Sequence, residues 1–255
     1  MPSLPTLFLS HGAPDLALRR ELPAHAFLAG LGASLPRPRV IVVFSAHWEA
    51  DRPLVEIGAA PTTIHDFGGF DNALYRVSYA ASGNPVLAAR ILDLLRDWSP
   101  RGEARGFDHG TWVPLSIMYP AADIPVVQVS LLHGRSPTDH LRLGTALASL
   151  RHEGVLVIGS GSATHNLRAL GSGDPPTWVT TFDDWVAERA VAGDGEALCR
   201  YLTLAPSARE NHPSEEHFLP LLAALGAAGT YARGRVLHRS TTYGVLSMAA
   251  YAFET

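Results

Sequence analysis

Four short apolar runs punctuate the chain: Leu7-Phe8-Leu9-Ser10, Val40-Ile41-Val42-Val43-Phe44-Ser45, Val126-Val127-Gln128-Val129-Ser130 and Val155-Leu156-Val157-Ile158-Gly159. They are apolar on both faces and rich in β-branched residues, the pattern of strands buried in a parallel sheet. Between them the period lengthens. Residues 84–98 place Val86, Leu87, Ile91, Leu94, Leu95 and Trp98 on one stripe, behind an Asn84-Pro85 start that predicts an Asn84 N-cap. Ser136-Pro137 repeats that signal for a helix reaching about residue 151. Residues 15–31 have mixed helical spacing broken by Pro23. Segments 181–191 and 196–204 read as two more helices, and Ser214 as the N-cap of one over 215–225. Shorter strands are expected at 54–57, 235–238 and 245–253, with loops at 61–71, 107–111 and 171–176, where Gly, Pro and Asp gather. Strand–helix alternation predicts an α/β fold. With no linker or repeat, one domain over residues 1–255 is expected.

Each apolar run stops at, or a few residues before, a histidine: His11, His47, His133 and His165. In open α/β sheets the functional crevice lies beyond the carboxyl ends of the strands. Imidazoles delivered to one edge predict a metal site or an acid–base cluster. Ser10-His11-Gly12 and Ser45-Ala46-His47-Trp48 carry two of them; the plain alternative for each is a ring that caps a strand end. Imidazole suits Zn, Fe, Cu and Ni alike, so ligand type does not select the ion. Trp48 reads either as a pocket wall or as packing. Asp108-His109-Gly110 and His65-Asp66-Phe67-Gly68-Gly69-Phe70 lie in loop-like strings, the second suggesting a shaped cover over a pocket, against the simple alternative of solvated loop histidines. Ser160 and Ser162 lack the G-x-S-x-G spacing of a hydrolase nucleophile, which leaves His165 as the functional group there. A helix through Glu215-Glu216-His217 would turn Glu216 and His217 to different faces, so only one of them would meet a metal. His25, His140, His152 and His238 have no strand-end context and read as surface or packing residues.

Composition narrows this further. A net charge of -4 leaves no basic footprint for nucleic acid. The chain has no lysine, which excludes Schiff-base chemistry, a pyridoxal anchor and a phosphate-loop lysine. The single cysteine, Cys199, permits no internal disulfide and fits a reducing cytoplasm. No basic leader segment and no apolar run of membrane length is present, so a cytoplasmic protein without membrane partners is expected.

Six strings, in order, resemble the class III extradiol ring-cleavage dioxygenases, in particular the single-chain subgroup similar to 4,5-DOPA dioxygenase. They are Ser10-His11-Gly12-Ala13-Pro14, Ser45-Ala46-His47-Trp48, Thr63-Ile64-His65-Asp66-Phe67-Gly68-Gly69-Phe70, Gly106-Phe107-Asp108-His109-Gly110, His165-Asn166-Leu167 and Glu216-His217-Phe218-Leu219-Pro220-Leu221. The resemblance implies a three-layer α/β/α fold around a mixed, mostly parallel sheet, with the whole chain as a catalytic domain like the B subunit of the class. It implies that His11, His47 and His217 bind a divalent metal, that His165 is the acid–base histidine and a candidate fourth ligand, and that His109 is a second pocket histidine. His65, Trp48, Phe67, Phe70 and Trp112 are the candidate substrate contacts that a flat aromatic ring would need. The wider class uses two histidines and a glutamate; here His217 falls where that glutamate would be. Three imidazoles also make a common zinc site, so Fe(II) is expected for activity and Zn(II) can occupy the isolated protein. The implied reaction opens a catechol-type diol, DOPA among the candidates, with O2. Two alternatives stay open: a zinc-dependent hydrolase that activates water on the same histidines, and a metal-binding module without catalysis. Oligomeric state is not readable.

Overall fold

In the computed structural model, which describes residues 3–255, the apolar runs become neighbouring strands of one sheet. The strands are β1 (Thr6–Ser10), β2 (Val40–Ala50), β3 (Leu54–Glu56), β4 (Arg101–Glu103), β5 (Val126–Leu132), β6 (Val155–Gly161), β7 (Arg233–His238), β8 (Thr241–Thr242), β9 (Leu246–Ser247) and β10 (Ala250–Glu254). Eight of them form a mixed sheet in the order β4-β3-β5-β2-β6-β1-β10-β7, and β8 and β9 pair separately. The four central strands, β5-β2-β6-β1, are parallel, while β10 and β7 extend the sheet antiparallel beyond β1.

The helices are α1 (Pro23–Ser34), α2 (Pro85–Leu94), α3 (His109–Met118), α4 (Pro137–Ala146), α5 (Thr177–Ala192), α6 (Gly195–Cys199), α7 (Tyr201–Leu204), α8 (Ala208–Asn211) and α9 (Leu219–Ala228). They cover both faces, which is why the central strands are apolar throughout. Phe8, Val42, Phe44, Val127 and Val157 pack with Leu143 of α4, Phe182 of α5 and Leu222 of α9. The alternate residues Leu7, Leu9, Ile41, Val43 and Ile158 pack with Leu28 of α1 and with Trp112 and Leu115 of α3. The result is the three-layer α/β/α arrangement. None of the helices among the described residues is long and apolar enough to cross a membrane.

Asn84 caps α2 as expected, accepting from the Leu87 amide at 2.9 Å, and Ser136 caps α4 in a capping box with Asp139. Residues 15–31 break at Pro23 as expected: a short 3-10 turn precedes α1, which starts at Pro23, because proline fits the first helical position and not the interior. Four expectations change. The 196–204 helix is broken at Arg200, and the 245–253 strand is split into β9 and β10. Ser214 caps nothing. Pro220 sits in the first turn of α9, so that helix starts at Leu219, and the Ser214 hydroxyl donates to Glu216 at 3.1 Å. The expected 107–111 loop is the start of α3, capped by the fully buried Asp108.

Candidate metal centre and active site

A cavity of about 460 Å³ opens beyond the carboxyl ends of β1, β2 and β6, and five imidazoles line it: His11, His47, His109, His165 and His217. His11 leaves β1 where Gly12, at φ +67°, turns the chain out of the sheet. His47 is delivered by an irregularity in β2. Phe44 pairs with Val129 and Glu49 with Leu131, so residues 45–48 stand opposite Ser130 alone. Such a bulge re-aims side chains. It is pinned from below: the Ser45 hydroxyl donates to Asp108 at 2.6 Å, and Arg105 donates to the His47 carbonyl at 3.1 Å. His217 lies in the turn before α9. Its carbonyl accepts from the Ser162 amide at 2.9 Å, and a Cβ on Gly161 would stand 2.1 Å from that carbonyl oxygen. Glycine on β6 therefore admits the turn to the edge of the sheet.

The rings of His11, His47 and His217 stand 4.9, 4.9 and 5.4 Å apart, centroid to centroid. His109 lies 3.8 Å from His47, and His165 is stacked on His217 at 3.4 Å. Possible ligand atoms of His11, His47 and His109 fall within 4.8 Å of one another, as do those of His165, Glu216 and His217.

Hydrogen bonds assign the tautomers. Pro114 in α3 has no N–H to give the Gly110 carbonyl, and the Ser160 hydroxyl donates there instead. With its proton committed, Ser160 Oγ accepts from His11 Nδ1 at 3.0 Å, which leaves His11 Nε2 as a bare lone pair. His217 Nδ1 donates to Glu216 at 2.8 Å, and His109 Nδ1 to Asp66 at 2.9 Å, which bares their Nε2 atoms too. His11 and His47 bring their Nε2 atoms within 3.0 Å. Two nitrogens at right angles around one cation, each bonded at about 2.1 Å, would be separated by about 3.0 Å. The residues fit a metal on donor chemistry as well as spacing: neutral imidazoles with bare Nε2 atoms, backed by acceptors at Nδ1.

Charge agrees. Burial first, and then the neighbouring imidazoles, push the pKa values of His11 and His217 well below the usual histidine value. Burial, reinforced by His109, brings His47 down to about 4. Burial also lowers His165, although Glu216 opposes it. These four rings are therefore neutral at neutral pH. Burial alone would raise the Asp66 carboxyl. Hydrogen bonds from His109 and the charges of His109 and His47 outweigh it and hold Asp66 at about 2.

Of the remaining expected residues, Phe67 and Phe70 line the cavity. Trp48, Trp112, His65 and His133 do not. Trp48 is buried beneath Arg105, whose guanidinium lies 5.1 Å from its ring centre. Trp112 is wholly buried in the α3 layer, its indole N–H donating to the Ile64 carbonyl at 2.9 Å. His65 turns outward from the cavity to donate to the Val77 carbonyl at 3.0 Å. His133, although it follows β5, has a side chain 77% exposed, with Glu49 at 3.8 Å. Ser160 and Ser162 both give their hydroxyl protons to backbone carbonyls, so neither is poised as a nucleophile. Sequence reasoning missed Asp66, Glu216 and Ser160, the three side chains behind His109, His217 and His11. It also missed the rim of Leu167, Leu170, Tyr243 and Leu246. Asp66 and Glu216 do stand beside histidines in the quoted strings, which was the available signal.

Residues 28–254 match the family described as the catalytic LigB subunit of aromatic ring-opening dioxygenase. The chain belongs to that family. This LigB-family protein is 42% identical over 262 residues to a 4,5-DOPA dioxygenase extradiol of Beta vulgaris, a match covering 98% of this chain and 96% of that one. It is 43% identical over 232 residues to a protein of the same name from Escherichia coli strain K12, covering 88% and 85%. The crystal structure of an uncharacterized protein from Escherichia coli K12 superposes with a TM-score of 0.82 at 34% identity, covering 98% of this chain and 99% of that one. The LigB-family chain is an extradiol aromatic ring-opening dioxygenase.

Proposed function

We propose that the protein opens a catechol-type diol with O2 at a divalent metal held by His11, His47 and His217, with the whole chain serving as one catalytic domain. The carrying observation is the pair of Nδ1 bonds, to Ser160 and Glu216, that turn bare Nε2 atoms of His11 and His217 toward the same cavity as His47. When bound, Fe(II) would supply the chemistry of dioxygen activation and lower the pKa of the diol hydroxyls. The chain's own groups position and move protons. His165, neutral and stacked on His217, takes a proton from the diol. His109 presents its bare Nε2 to the substrate or dioxygen, and a proton received there is balanced by the Asp66 carboxylate at 2.9 Å. Phe67 and Phe70 wall the ring and exclude water. The relatives' names give DOPA as one diol of this class.

Anaerobic loading with Fe(II), followed by air and a panel of catechols, tests the reading. Oxygen uptake and a yellow ring-opened product are expected; iron-loaded protein that consumes no oxygen with any catechol refutes it. His165→Ala is expected to abolish turnover while the metal stays bound. Loss of the metal instead would make His165 a ligand.

A further inference from the structure

We infer that Tyr243 sets how bulky a ring substituent the cavity admits, acting as a wall fixed at both ends. This rests on the ring-opening reading, because the imidazole floor must take the diol edge and leave the substituent to the rim. Tyr243 lines that rim with Leu246, at the tip of the β8–β9 hairpin. The hairpin stands apart from the main sheet, and one side chain beyond β6 holds its base. The Thr164 hydroxyl donates to the Val245 carbonyl at 2.6 Å and accepts from the Ser247 amide at 2.7 Å. Thr164 directly precedes His165, so the hairpin is registered against the segment that carries the acid–base histidine.

An unpinned aromatic wall can swing aside for a larger ligand. Tyr243 is held against that at three points. Its backbone sits at φ +50°, a left-handed conformation unusual for a bulky residue, and Gly244 follows at φ +68°. Its carbonyl accepts from the Gly171 amide at 3.0 Å, which ties the hairpin tip to the rim segment bearing Leu167 and Leu170. At the far end of the ring, the hydroxyl donates to Asp15, in the 3-10 turn that follows β1. The Arg19 guanidinium reaches both members of that pair, at 3.4 Å each. The ring therefore spans from the hairpin to the turn after β1 with its proton already committed, and it offers a substrate shape rather than a donor. Backbone strain retained at a cavity-lining side chain points to a functional constraint, and bonds at both ends of the residue name it: a wall held in place. Such a wall discriminates by clash.

The test compares two catechols on iron-loaded enzyme, one with a methyl and one with a tert-butyl substituent. Both substituents are uncharged, so Arg168, exposed on the rim turn, and the acids beside Arg19 do not enter the comparison. The methyl diol is expected to lead in kcat/KM by roughly tenfold or more. Tyr243→Asn removes the ring and keeps a side chain that tolerates left-handed backbone. It is expected to narrow that ratio by about fivefold or more, through the KM of the tert-butyl diol. A wild-type ratio near one, or a ratio that Tyr243→Asn leaves unchanged, overturns the inference. Tyr243→Phe and Asp15→Ala each cut the outer pin. Each is expected to narrow the ratio about two- to threefold, and the double variant no further than either alone. Effects that add in the double variant would mean that the two residues act separately, and would sink the pinned wall. Calorimetry with the same diols on zinc-loaded protein separates the two readings. If iron-loaded protein opens neither diol, the ring-opening reading falls, while tighter binding of the methyl diol that Tyr243→Asn evens out leaves this one standing. Equal or weaker binding of the methyl diol to the wild type, or a preference indifferent to Tyr243→Asn, sinks this one.

Discussion

His11 and His217 offer the same bare nitrogen to one cavity but are held in opposite ways. His11 closes a buried strand, and its Nδ1 meets a neutral hydroxyl that is itself fixed by a backbone carbonyl. His217 lies in a turn, and its Nδ1 meets the carboxylate of the preceding residue. A hydroxyl sets tautomer and direction. A carboxylate does that and also raises the basicity of the ring as a ligand. The sheet thus supplies the geometry of the floor, while the turn before α9 supplies its electron density.

Removing either ring is the harshest test of that division. His11→Ala and His217→Ala are each expected to abolish stoichiometric metal binding, measured by metal analysis after gel filtration. Full metal content in either variant would mean that the other rings suffice and that the paired description is wrong. Glu216→Gln comes next. It keeps a hydrogen-bond acceptor but removes the charge, and metal affinity is expected to fall by about 10- to 100-fold. A competitive chelator titration reads this, and an unchanged Kd would reduce Glu216 to a positioning group like Ser160.

The same contrast explains what could be read in advance. The central strands were legible because both faces are buried, so the pattern needs no partner to be recognised. His11 and His47 were legible as strand-end histidines, yet His133 carries the same signature after β5 and stands in solvent. The difference lies in features without a period: the bulge at 45–48, which aims His47, and the glycines of β6, which admit the turn bearing His217. Helix α3 hid for a related reason. Trp112, Val113, Leu115, Ile117 and Met118 are all buried, so it shows no polar face, and Pro114 reads as a breaker. Its start at His109 looked like a loop. Asp66 and Glu216 were overlooked because their roles depend on tertiary placement. Asp66 bonds a ring 43 residues away, and Glu216 reaches His217 only because residues 215–217 are not helical.

Ser160→Ala carries the smallest expected effect on metal and the sharpest distinction. It removes one hydroxyl that serves two groups, the Gly110 carbonyl and His11 Nδ1, both buried. Leaving such groups without partners costs about 1–3 kcal/mol, so the melting temperature should fall measurably. Metal affinity should fall only a few-fold, well short of Glu216→Gln, because no charge is lost and the ring remains walled in by its neighbours. Chelator titration of both variants side by side decides the matter. If Ser160→Ala weakens metal as much as Glu216→Gln does, tautomer control dominates and the carboxylate's charge adds little. If it weakens metal not at all while stability drops, the hydroxyl exists to satisfy the carbonyl that Pro114 leaves open, and the His11 tautomer is chosen by the cation itself.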